Sequence, residues 1–197
     1  MPLPKCIRIS ADDGPGRAVL LADGWREVEV LETLEGPAPS IPPHPAGMCL
    51  FDALDSEDDI SQCAELAAGA FAFDRLHADP QVSPEAAAAA KRAWVRNVRA
   101  DPKARLFGAR LDGGALAGFL IWKPIEIGDR KLLLIDLLAV RQDARRLGLG
   151  RALIAHAAAR SGLGTLRAGT QAANVPAKAF YDSLGMKIVD RQRAFHR

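Results

Sequence analysis

The run Arg145-Arg146-Leu147-Gly148-Leu149-Gly150-Arg151 joins two residue types that together suit an anion. Glycines let a backbone approach a ligand closely, and a helix starting here would turn its free amide N–H groups toward negative charge. Guanidinium groups pair with phosphate oxygens, often two bonds at a time, so three arginines around two glycines read as a diphosphate cradle. The run lies between the most apolar stretch of the chain, Lys131 to Val140, and an apolar segment from Gly150 to Ser161. Two nucleotide loops are excluded. No G-x-x-x-x-G-K-[ST] string exists. A dinucleotide fingerprint on Gly148 and Gly150 would put Leu153 where a small residue must pack, and no acid stands about 20 residues on to hold a ribose.

A second string follows: Asn174-Val175-Pro176-Ala177-Lys178-Ala179-Phe180-Tyr181-Asp182-Ser183-Leu184-Gly185-Met186. An R-x-x-G-x-G loop after an apolar strand, followed by this string, resembles the GCN5-related N-acetyltransferases (GNAT). Their N-x-x-A-x-x-F-Y-x-x-L-G-F signature is matched except at Met186, which replaces an aromatic residue. The resemblance implies an α/β GNAT fold: a mixed sheet with antiparallel N-terminal strands and a β-α-β half that binds acetyl-CoA. It implies acetyl-CoA as cosubstrate, no metal, and transfer to an amine by direct attack in a ternary complex. Carried over position by position, the pyrophosphate falls to Arg145, Arg146, Leu147, Gly148, Leu149, Gly150 and Arg151. The pantetheine arm falls to Leu138, Ala139, Val140, Asn174, Ala177 and Tyr181.

Tyr181 is the only tyrosine and matches the family residue that protonates the leaving sulfur. A phenol, with an ordinary pKa of about 10, can serve if held close to that atom. Core packing beside Phe180 is the other reading of it. Asp136 interrupts the apolar run 132–140, where a carboxylate must find a partner or shift its pKa upward. It is a candidate base acting through a water, or a structural acid bonded to a neighbouring strand. Upstream, Ala70-Phe71-Ala72-Phe73-Asp74-Arg75-Leu76-His77-Ala78-Asp79-Pro80 and the tail Arg193-Ala194-Phe195-His196 are similar to the bacterial dTDP-fucosamine acetyltransferase type. That similarity implies a nucleotide-linked amino sugar as acceptor. Phe71 would stack, Arg75 would meet a phosphate or carboxylate, and His77 and Asp79 would bond hydroxyls. A protein N-terminal or lysine acetyltransferase and a non-catalytic CoA-binding regulatory module are the alternatives.

The elements that must position these groups can be read from pattern. A short helix near 17–23 and a strand over 26–34 form a small N-terminal unit (1–36), too small to fold alone and expected to dock on the main body. Five prolines between Pro37 and Pro45 mark a linker (37–47) before the acetyltransferase domain (48–197). Met48 to Ala53 reads as a strand. Ser56 and Ser83-Pro84-Glu85 are helix starts, and Ala90, Trp94 and Val98 are the inward stripe of the second helix. Asp112-Gly113-Gly114 joins two strands, and β-α-β follows from Lys131 to Phe195. Residues 22–28 echo 183–189, each with a glycine, a large apolar residue and a base before a strand. Helix-to-strand connections commonly take that form, which makes coincidence the simpler account.

Twenty-six basic residues against 24 acidic ones leave a formal charge of +2, which argues against nucleic acid as a partner. No apolar run is long enough to span a membrane. Three cysteines without a C-x-x-C pair point away from a disulfide framework and toward the cytoplasm. A homodimer is the family-level expectation.

Overall fold

The computed structural model describes residues 3–40 and 47–197. Residues 41–46, the middle of the expected linker, lie outside the described residues. The first unit comprises β1 (Cys6–Ser10), α1 (Gly14–Ala22) and β2 (Arg26–Pro37). There follow β3 (Met48–Phe51), α2 (Glu57–Ala70), α3 (Pro84–Arg96), β4 (Arg105–Leu111), β5 (Leu116–Ile127) and β6 (Arg130–Val140). The chain closes with α4 (Leu149–Ser161), β7 (Thr165–Gln171), α5 (Val175–Ser183) and β8 (Lys187–His196). The predicted starts hold: Ser56 and Ser83 accept from the N–H groups of Asp59 and Ala86, satisfying donors the helix leaves open. Asp112 and Gly113 both take positive φ in the β4–β5 turn, as a tight hairpin requires.

All eight strands form one sheet in the order β1-β8-β2-β7-β6-β5-β4-β3. Alternation splits the core between its faces. Phe119 and Ile121 pack with Ile60, Cys63 and Val95 on the α2/α3 side, whereas Leu120 and Trp122 join Leu153 of α4 and Tyr181 of α5 on the other. The inward stripe of α3 is Ala87, Lys91 and Val95 in place of Ala90 and Trp94, while Val98, just past the helix, packs against the core as expected. Trp94 is about half exposed, and its indole N–H reaches across to Asp136 on β6.

β6 and β7 run parallel but pair only from Leu133 to Ile135 and Leu166 to Ala168. Beyond that they diverge, so Asp136 to Val140 face a gap on the β7 side, while Leu137 to Val140 still pair with β5 on the other. Asp136 is the extra residue of a β-bulge, because Ile121 and Trp122 stand opposite Leu137 and Ile135.

The first unit does not sit beside the sheet; β2 is inserted between β7 and β8, and β1 pairs with the far side of β8. The echo between 22–28 and 183–189 is therefore no coincidence. It extends over the whole of β1-α1-β2 and β7-α5-β8, without a gap, at the constant offset that takes Asp13 to Asn174. Asp13 and Asn174 each cap their helix by accepting from the N–H three residues on, and Pro15 and Pro176 follow each cap. Gly24 and Gly185 close the helices at φ +80° and +78°. The pairing obeys the same rule: Ser10–Gln192 corresponds to Gln171–Leu31, and Cys6–His196 to Arg167–Glu35. Ala11 N–H donates to Arg191 at 2.9 Å, and its counterpart Ala172 N–H donates to Val30 at 2.8 Å. A pseudo-twofold axis passes where Leu31 faces Gln192. Each β-α-β crossover skips one strand position, and each unit fills the vacancy left by the other. That interlocking supplies the short unit with strand partners in place of a core of its own: α1 buries no residue, and only Leu34 of β2 joins the main core.

Candidate active site

The loop after β6 is shaped by two left-handed residues, Arg146 (φ +64°) and Gly148 (φ +84°). The first is an uncommon conformation for a side-chain-bearing residue, of the kind concentrated at functional sites. The glycines do different work. A Cβ on Gly148 would meet nothing, so glycine is there for its φ, whereas a Cβ on Gly150 would press on the Phe180 ring at 3.3 Å. The first hydrogen bond of this turn runs from Ala152 N–H to Gly148 at 2.9 Å, which leaves the N–H groups of Leu149, Gly150 and Arg151 directed out of the helix start. Arg145 donates to the Val140 carbonyl, and Arg151 to the Ser183 carbonyl at the end of α5. Arg146 makes no hydrogen bond or ion pair among the described residues and is exposed. Leu147 is also exposed, but the Leu149 side chain is buried, so only its backbone can address a ligand. Open amides, a strained arginine and a free guanidinium fit a pyrophosphate.

The gap between β6 and β7 begins beside this loop. Leu138 and Val140 turn toward α4 and α5, and Ala139 toward α2. Tyr181 borders the same cluster as Leu138, its ring 5.4 Å from that of Phe180. Burial pushes the phenol's pKa up to about 12, so it stays protonated. Asn174 caps α5 through Ala177 N–H at 3.2 Å.

On the opposite face, Asp136 accepts from Trp94 Nε1 at 3.0 Å. Both line a cleft of about 170 Å³ with Lys123 and Ile121. The Lys91 ammonium is buried between the Phe71 and Trp94 rings, 4.9 and 4.7 Å from their centres, and pairs with Asp74 at 3.0 Å. His77 also meets Asp74, at 3.1 Å. Asp79 is fully buried: it accepts from both Arg26 Nη2 (3.0 and 3.1 Å) and Gln81 N–H, and meets His196 Nδ1 at 2.8 Å. Burial alone would raise its pKa, but these bonds outweigh it and hold the carboxyl below the ordinary range. Arg75 Nη1 lies 3.0 Å from His196 Nε2. Arginine can only donate, so Nε2 accepts and Nδ1 carries the proton that bonds Asp79. Of the four acceptor candidates, His77 and Asp79 thus brace the α2–α3 connection, while Phe71 and Arg75 are only half-buried. Sequence reasoning missed Lys91 and Glu29. The first is hidden in an alanine-rich helix, and the second lies in a strand whose buried face only the fold determines.

The sheet is thus splayed beside an open helix start, and the buried Tyr181 lies in the cluster that Leu138 joins. Residues 64–186 match the acetyltransferase (GNAT) family, and the chain belongs to it. Members of this family transfer an acetyl group taken from acetyl-CoA. Among curated proteins none matches the chain in sequence. Solved structures share the fold at low identity. A GCN5-related N-acetyltransferase from Sphaerobacter thermophilus is 17% identical with a TM-score of 0.64, over 98% of this chain and 60% of that one. A tandem GNAT protein from the clavulanic acid biosynthesis pathway is 19% identical with a TM-score of 0.66, over 98% and 62%. A glucosamine N-acetyltransferase region of a fungal multi-domain β-N-acetylglucosaminidase is 15% identical with a TM-score of 0.63, over 98% and 25%. The chain thus spans about 60% of the length of the first two. No helix among the described residues is long and apolar enough to cross a membrane.

Proposed function

We propose that the chain transfers the acetyl group of acetyl-CoA to a primary amine of a nucleotide-linked amino sugar, with both substrates bound together. The observation that carries the cosubstrate half is the loop, where Arg146 and Gly148 adopt left-handed conformations at the open end of α4 beside the β6–β7 gap. Residues 145–151 would hold the pyrophosphate, Arg146 most directly. Leu138 to Val140 and Asn174 would hold the arm. When bound, acetyl-CoA supplies an activated thioester.

The chain's own groups do the rest. Confining amine and thioester to one gap replaces a bimolecular encounter by an oriented one. A backbone N–H of the unpaired edge of β6, between Leu138 and Val140, stabilises the carbonyl oxygen as it gains charge. Tyr181, kept protonated by burial, donates to the departing sulfur. Asp136, bonded to Trp94, shapes the acceptor cleft or orders a water there. The half-buried Phe71 and Arg75 support a sugar ring and a phosphate. Three unpaired cysteines favour a reducing cytoplasm, and sedimentation would test the expected homodimer.

Acetyl-CoA should raise the melting temperature by binding the native state. A screen of amines with thiol release as readout then assigns the acceptor; activity on lysine peptides alone would replace the sugar by a protein.

A further inference from the structure

One buried acid has no part in the chemistry described so far. Glu29 lies on β2, directly after the bulged residue Val28, with its side chain only 4% exposed. Its Oε2 has no hydrogen-bond partner among the described residues. Its Oε1 is 3.8 Å from Arg8 on β1, too far for a hydrogen bond. Burial pushes its pKa up. Arg8, a hydrogen bond from the Gln171 amide and Arg75 offset that only in part, and Asp74 adds to it. Buried acids left this way are costly, and proteins keep them chiefly where function uses them.

Its position says what that use is. Leu31 pairs with Gln171 at the end of β7, where the gap from β6 is open, and Glu29 follows two residues on along the same face of β2. Leu34 and Glu32 turn the other way, toward α5. Glu29 therefore faces the α2/α3 side, beside Arg75, whose one partner among the described residues is His196. A carboxylate with a spare oxygen and a guanidinium with spare N–H groups complement a ligand bearing an ammonium close to an anionic or hydroxyl-rich group.

We propose that Glu29, a residue of the first unit, receives the acceptor's ammonium and removes a proton from it; this rests on the acetyltransferase reading above. One ammonium proton passes to the Glu29 carboxylate and later to solvent, leaving a neutral amine. The nitrogen lone pair then forms the C–N bond as the C–S bond breaks, and the leaving sulfur takes a proton from Tyr181. Tyr181 regains one from the nitrogen. The products are the amide, the free thiol and one released proton.

The test uses the full chain and three probes: dTDP-4-amino-4,6-dideoxygalactose, glucosamine and a lysine peptide. Glu29→Gln should lower kcat/KM for the best of these by about 100-fold and abolish the acidic limb of its pH profile. The acetyl-CoA thermal shift should be unchanged. Glu29→Asp, which keeps the carboxylate, should retain that limb at an intermediate rate. A Gln variant within threefold of wild type with the limb intact would overturn the proposal. So would equal losses in the Gln and Asp variants accompanied by a lowered melting temperature, which would mark a packing role. If wild type binds acetyl-CoA but neither binds nor acetylates any of the three amines, Glu29 is not an ammonium site. If wild type does not bind acetyl-CoA, it is the acetyltransferase reading that fails.

Discussion

The two interlocked β-α-β units share a backbone and differ in nearly everything that could act on a substrate. Both have a capped helix with a proline in its first turn, a glycine near φ +80° at its end and a bulged strand beyond. In the second unit the strand is preceded by the glycine loop and α4, and its helix carries Tyr181. In the first, no such loop precedes β1 within the described chain, and Leu20 occupies the tyrosine's place. Glu29 has Asp190 as its counterpart, yet only Glu29 is turned in beside Arg75. A fold repeated this faithfully positions groups without choosing them. The chemistry follows from which side chains replace the structural ones and from which neighbours each copy meets.

Deleting residues 3–37 should have the largest effect. β7 and β8 touch only through β2, so the remainder should show no cooperative urea transition; a separate peptide of residues 3–40 should restore one. Asp79→Asn strikes the residue that both units clamp, Arg26 from the first and His196 from the second, and should cost about 3 kcal/mol near neutral pH. Its pH signature has a definite sign. A carboxyl whose folded pKa is depressed stabilises above its unfolded value, and that contribution is lost as pH falls through the folded value. Denaturant titrations of the Asn variant should therefore show a shallower loss below about pH 4.

Twin substitutions in the two units should have smaller effects. Tyr181→Phe should lower kcat about 100-fold and leave the acetyl-CoA thermal shift intact, whereas Leu20→Met should leave kcat alone. Gly148→Ala and Gly24→Ala each force a side chain into a left-handed conformation with free space around it, and each should cost about 1 kcal/mol. Only the first should weaken acetyl-CoA binding, by about 10-fold in a calorimetric titration. Smallest, Asn174→Ala and Asp13→Ala should lower stability about equally, by roughly 1 kcal/mol, since both remove one cap bond.

Local chemistry was legible in the sequence. The caps at Ser56 and Ser83, the turn at Asp112-Gly113, the apolar strand β6 and the loop of arginines and glycines each announce themselves within a few residues. Pairing across the chain was not. Nothing local tells that β2 lies between β7 and β8, because strand order depends on contacts between segments more than a hundred residues apart. The echo between 22–28 and 183–189 looked accidental because the units share backbone roles more than side chains. Asp79 and His77 read as groups free for a ligand, since only the fold brings Arg26, His196 and Asp74 to them. Glu29 was hidden for the same reason.

The interlocking of the two units also fixes an order of events in folding. β2 gains neither neighbour until β7 and β8 exist, and β8 is not flanked on both sides until β1 and β2 arrive. Closing such distant pairs costs loop entropy before any contact repays it, so the chain should fold slowly. Until then the apolar residues of β2 have no partner, which makes this stretch the natural client of a chaperone while the rest of the chain is made.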